Sequence, residues 1–74
     1  MKNRIKVLRA ERNMTQEQLA HLAGVTRNTI ISMEKGKYCP SIKLGYRIAN
    51  IFGVRIDDIF IYEEDVDGPS GDEE

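Results

Sequence analysis

Cysteine occurs once in the 74 residues, tryptophan not at all, and proline and phenylalanine twice each. A lone thiol, Cys39, cannot close an internal disulfide, so nothing covalent staples the fold and a reducing compartment suits it. No uninterrupted apolar stretch approaches the roughly 20 residues that a membrane-spanning helix requires, and Met1-Lys2-Asn3 leads into no apolar secretory region. A cytoplasmic protein without a membrane partner is expected. The chain also lacks a paired His and carboxylate motif, metal-ligand spacing and a glycine-rich phosphate loop, which argues against an enzyme and against any metal or cofactor. A small-molecule ligand is not expected either. The single histidine, His21, has no second ligand or nucleophile near it in sequence and reads as a surface or boundary residue.

A hydrophobic content of 41% in a chain this short fits one small domain. Such a domain buries only about 60% of the surface that its unfolded chain exposes, so its margin of stability is thin. The net charge of -1 hides a division along the chain. Met1 to Phe60 holds eleven Lys/Arg against five acids, a balance of +6, whereas Ile61 to Glu74 holds seven acids and no base, a balance of -7. A basic body of this kind suits a polyanionic partner.

The apolar spacing predicts five helices. The first covers Asn3 to Arg12 with Ile5, Val7 and Leu8 as its buried stripe, and Asn13-Met14 ends it. Thr15 is an N-cap with Gln18 three residues on to reach back, and Leu19, Ala20 and Ala23 form the inner face of a second helix closed by Gly24. Thr26 caps a third helix from about Arg27 to Lys35, before Gly36. Pro40 marks a loop, and Ser41 caps a fourth helix carrying Ile42, Leu44, Ile48, Ala49, Ile51 and Phe52 up to Gly53. A short fifth helix is expected around Ile56-Asp57-Asp58-Ile59. Gly45, inside the fourth helix, costs about 0.5 to 1 kcal/mol relative to alanine. It either admits a close neighbour or is neutral variation, and the second is the preferred reading. The domain is taken as residues 1–62, including a short C-terminal strand. Residues 63–74 form an acidic tail with the composition of a disordered segment. Its expected role is solvation, with competition against phosphate as the alternative.

Two short helices joined by a tight turn, the second opening on polar side chains, form a helix-turn-helix whose second member fits the major groove of DNA. Advancing about 100° per residue from Arg27 puts Ile30 and Met33 on the inner side, flanked by Thr29 and Glu34. Arg27, Asn28, Ile31, Ser32 and Lys35 lie opposite. Arginine can grip guanine O6 and N7, an amide can pair with adenine N6 and N7, and a hydroxyl accepts either. Ile31 either reads a thymine methyl or covers the edge of a small core.

The run MTQEQLAHLAGVTRNTIISMEKGKYCPSIKL, with IANIFGV and DDIF, resembles the helix-turn-helix family of phage repressors, Cro proteins and XRE-type regulators, over about Asn3 to Phe60. The resemblance implies an all-α, five-helix, lambda-repressor-like DNA-binding domain. It also implies that Gln16 contacts DNA from the start of the second helix, that Thr26, Arg27, Asn28 and Ser32 face the groove, and that Lys37 and Lys43 lie near phosphates. Arg9 and Glu34 match a pair that ties the first helix to the third. Family members bind near-palindromic operators as two-fold dimers, and most repress transcription. Several phage members carry glutamines where this chain has Arg27 and Asn28, so base preference does not transfer.

The apolar surplus at Phe60, Ile61 and Tyr62 is read as a dimerisation segment, a strand that pairs with its symmetry mate. The alternative is that Phe60 and Ile61 fold back on their own core. The expected function is therefore a dimeric, sequence-specific repressor of a double-stranded DNA operator. The competing one is an antitoxin-like protein-interaction module that binds DNA only for autoregulation.

Overall fold

The computed structural model describes residues 2–61, and its elements run β1 (Lys2–Asn3), α1 (Ile5–Glu11), α2 (Gln16–Ala23), α3 (Arg27–Glu34), α4 (Ile42–Phe52), a 3-10 turn (Ile56–Asp58) and β2 (Phe60–Ile61). Tyr62 and the acidic tail lie outside the described residues. No helix among the described residues is long and apolar enough to cross a membrane.

Helix starts and stops follow the local chemistry. Thr15 Oγ1 accepts from Gln18 N at 3.0 Å while Gln18 Oε1 accepts from Thr15 N at 2.8 Å, a reciprocal box that satisfies two donors at the start of α2. Thr26 and Ser41 cap α3 and α4 by accepting from Thr29 N and Leu44 N, each at 3.2 Å. Gly24 and Gly53 close α2 and α4 in the left-handed region, at φ 74° and 71°. Asn13 does the same for α1 at φ 52°, and Met14 N returns to Arg9 O at 2.9 Å.

Four of the five expected helices are present as α-helix, and the fifth is only a 3-10 turn. Its bonds run from Asp58 N to Arg55 O and from Ile59 N to Ile56 O, each spanning three residues. A longer helix has no room: Gly53 ends α4, and Ile59 must already point into the core to bring Phe60 into the sheet. The first helix likewise starts two residues later than its spacing suggested. Asn3 is held in β1 by its own amide, which donates to Met33 O at 2.6 Å and accepts from Ile5 N at 3.2 Å. Val7, expected inside, is 47% exposed, and Ile42 is 75% exposed.

The strand expected after the last helix is present, but it pairs within the chain. Lys2 faces Ile61 and Asn3 faces Phe60 in an antiparallel register. The two ends of the domain thereby close over one core of Ile5, Leu8, Leu19, Ala20, Ala23, Ile30, Met33, Ile48, Ala49, Phe52 and Ile59. Phe60 packs against that core as a half-buried residue.

Gly45 is buried in α4, and the structure favours the close-neighbour reading over neutral variation. A methyl there would lie 2.9 Å from Ile56 Cδ1 and 3.7 Å from Phe60 Cε2. The missing side chain is what lets the 3-10 turn and β2 settle onto α4. Two arginines join the helices at their ends. Arg47 Nη1 donates to Ala23 O, the last residue of α2, at 3.0 Å. Arg12 donates to Phe52 O at 2.7 Å and stacks its guanidinium 5.2 Å from the Phe52 ring centroid.

Candidate nucleic-acid interface

α2 and α3 are joined by three residues, Gly24-Val25-Thr26, and pack on one another through Leu19, Ala20, Ala23, Ile30 and Met33. Val25 N bonds Ala20 O at 3.0 Å, so the turn is tied back into α2 and the angle at which α3 leaves is fixed. The inner face of α3 is dry: Ile30 is 0% and Met33 1% exposed. Its outer face carries exposed Arg27, Asn28 and Lys35 and half-buried Ile31 and Ser32, the five residues that the helical projection had grouped. Thr26 is exposed at the head of this face, where its hydroxyl serves the cap and lies 3.0 Å from Thr29 Oγ1.

The loop after α3 stays close to the helix. Lys37 N and Tyr38 N both bond Ser32 O, at 2.9 and 3.3 Å, and Gly36 turns the chain at φ 76°. That geometry sets Tyr38 beside the outer face, where it bounds a shallow cleft of about 190 Å³ with Asn28, Thr29 and Ser32. Lys43 is exposed in the first turn of α4. Among the described residues no carboxylate lies within ion-pair range of Arg27, Lys35, Lys37 or Lys43. Four cations near an exposed polar helix face, none neutralised among the described residues, leave a positive surface suited to phosphates.

Arg9 and Glu34 form the expected pair, with Arg9 Nε 2.6 Å from Glu34 Oε2 and side-chain exposures of 13% and 8%. Gln16 belongs to the same cluster, which its sequence reading as a separate contact did not anticipate: its Nε2 donates to Glu34 Oε1 at 3.0 Å. Sequence reasoning also passed over Ile42 and Tyr46. These lie one turn apart on α4, 75% and 55% exposed, and Ile42 lines a groove of about 260 Å³ with Pro40, Gly45, Ile56 and Phe60. Their four-residue spacing was the available signal, but Ile42 counted there only among the apolar positions of the fourth helix. Ile61 is 39% exposed at the end of β2. His21 and Cys39 are exposed, and no group of three or more His, Cys, Asp or Glu that could hold a metal occurs among the described residues.

Residues 5–59 match the family described as Helix-turn-helix. An uncharacterized HTH-type transcriptional regulator of Methanocaldococcus jannaschii is 62% identical over 65 residues, covering 88% of this chain and 98% of that protein. The cryptic phage CTXphi transcriptional repressor RstR of Vibrio cholerae is 37% identical over 54 residues, covering 73% of this chain and 49% of that protein. Among solved structures, a transcriptional regulator from Listeria innocua aligns with a TM-score of 0.72 at 24% identity, over 89% of this chain and 65% of that one, a likeness of fold. With the match running from α1 to the last core residue and both relatives named as transcriptional regulators, this chain belongs to the helix-turn-helix family of the Cro/C1 (XRE) type and is a DNA-binding transcriptional regulator rather than an enzyme.

Proposed function

We propose that the protein is a cytoplasmic, dimeric repressor that reads a near-palindromic operator by laying α3 in the major groove. The observation that carries this reading is the two-sided character of α3, with Ile30 and Met33 fully inside and Arg27, Asn28 and Lys35 fully outside. Arg27 and Asn28 meet base edges, Ser32 and Ile31 lie deeper along the same face, and Ile31 offers an apolar surface to a thymine methyl. Thr26 faces the groove at the head of the same helix, and Gln16, Lys37 and Lys43 hold the phosphates that fix the register. The repressor named among the relatives supports the sign of regulation.

Dimerisation through the C-terminal end rests on its apolar surface. Ile61 is exposed, Ile42 lines the groove over Gly45, and Tyr46 is exposed one turn further along α4. A small domain gains by covering such a surface with a second copy, and a two-fold partner sets the recognition helices one DNA turn apart, about 34 Å. Phe60 supports that surface from beneath, and Tyr62 follows it in sequence. Selection of duplexes from a random pool tests the whole reading. The expected product is a pair of inverted half-sites about one helical turn apart. If at moderate salt no selected duplex is held better than a scrambled competitor, the reading fails.

A further inference from the structure

We infer that Arg9 and Glu34, besides joining α1 to α3, are positioning residues that aim Gln16 at the DNA backbone. This inference rests on the DNA-binding reading and adds a dependence that the reading does not contain. Glu34 receives three donors: Arg9 Nε on Oε2 at 2.6 Å, and Arg9 Nη2 and Gln16 Nε2 on Oε1 at 3.2 and 3.0 Å. The remaining arm of the guanidinium, Nη1, donates to Met14 O at 2.8 Å. Met14 immediately precedes the cap of α2, and Gln16 is the first residue of that helix. One guanidinium therefore fixes both the backbone that enters α2 and, through the shared carboxylate, the side chain that opens it.

The chemistry of the amide makes this directional. A carboxylate accepts only, so Gln16 must present its nitrogen to Glu34 and turn its carbonyl oxygen elsewhere. One of the two N–H groups is used, and the other remains as a donor beside the start of α2. A glutamine at the same place with no carboxylate behind it would be a free rotor with its oxygen and nitrogen interchangeable, and binding would have to order it. The structure orders it beforehand, through a carboxylate that is itself held by the guanidinium of Arg9 in α1. Freeing one such side chain weakens binding by about two- to tenfold per half-site.

The test uses the full chain and a selected duplex carrying a neutral methylphosphonate at each backbone position in turn, well below the melting temperature of every variant. In the wild type, neutralising the phosphate held by Gln16 weakens binding. Gln16→Ala removes that sensitivity at one phosphate per half-site. Glu34→Gln, which turns an N–H toward Arg9 in either orientation of its amide and so breaks the shared cluster, removes it at the same phosphate and leaves the others intact, and the double variant binds no worse than Gln16→Ala alone. A purely structural role would instead lower binding at all positions alike. Should Glu34→Gln not remain folded, Arg9→Lys, which keeps the charge and loses the fork, gives the same readout. A wild-type phosphate profile in a folded Glu34→Gln or Arg9→Lys protein, or losses that multiply in the double variant, overturns the inference while DNA binding itself stands. Absence of any phosphate sensitivity assignable to Gln16 overturns it too, and failure of the wild type to hold any duplex removes the functional reading beneath both.

Discussion

Replacing Gly45 by alanine should bring none of the stability that the substitution ordinarily gives inside a helix, and a second substitution should restore it. In an open helix the exchange is worth about 0.8 to 1.0 kcal/mol, because alanine loses less backbone freedom on folding. At Gly45 the new methyl would lie 2.9 Å from Ile56 Cδ1, about 1 Å inside normal carbon contact, with Phe60 Cε2 behind it at 3.7 Å. The offending atom is the end of a flexible side chain, so the backbone holds and Ile56 swings off its rotamer at about 0.5 to 1.5 kcal/mol. The two effects cancel to within about 0.5 kcal/mol. Ile56→Val removes Cδ1, and in that background the alanine methyl occupies the vacated space. There Gly45→Ala should stabilise by about 1 kcal/mol, which for a domain of this size raises the melting temperature by roughly 4 to 8 °C. Thermal and urea melts of the four proteins at one fixed concentration close the cycle. Equal gains in the two backgrounds, or the full gain in Gly45→Ala alone, would refute the close packing of the 3-10 turn on α4.

Other expected outcomes follow from the ion pair, the interface and the surface of α4. Arg9→Ala strands a carboxylate that is 8% exposed, and should cost about 3 kcal/mol in a urea melt; Arg9→Met with Glu34→Leu should recover most of that, because no unpaired charge is left behind. Asn28→Ala should relax base preference at about one position per half-site at a cost of roughly 1 to 3 kcal/mol, whereas Lys37→Ala should weaken all duplexes alike and reduce the salt slope by about 0.9 per subunit, both read by titration against a panel of mutated sites. Tyr46→Glu with Ile42→Glu, at positions 55% and 75% exposed, should leave the fold intact and shift sedimentation at micromolar concentration to monomer. Deleting Asp65 to Glu74 removes five acids and should tighten binding to random DNA at low salt; unchanged binding would leave the tail a solubility role alone.

The reach of the sequence can be judged at particular residues. Caps are local, so Thr15, Gln18, Gly24, Thr26, Ser41 and Gly53 could be identified from neighbours within four positions, and the structure uses each in the expected role. The outer face of α3 was equally accessible, because a helix between a fixed cap and a closing glycine has only one angular frame, and two residues, Ile30 and Met33, decide which side is inner. What periodicity could not supply was the length of the fifth helix or the partner of the last strand. Both depend on Lys2 and Asn3, which lie more than fifty positions away in sequence and are held there by a carbonyl of α3.

Side-chain partners show the same limit at the site itself. Arg9, Gln16 and Glu34 come from three helices; the family resemblance paired Arg9 with Glu34, whereas Gln16 had a separate reading as a DNA contact. Only the fold brings Gln16 to the carboxylate of that pair. A lone Gln16 would be a neutral contact of interchangeable polarity, whereas Gln16 on Glu34 presents a defined N–H. In this way an interaction that stabilises the packing of α1 on α3 also selects the orientation of a group at the edge of α2. Replacing the pair with apolar side chains would therefore preserve the domain and still loosen its hold on DNA. Stability and binding separate in such a protein because the carboxylate holds the guanidinium of α1 through both oxygens and shares only one of them, Oε1, with the amide of Gln16.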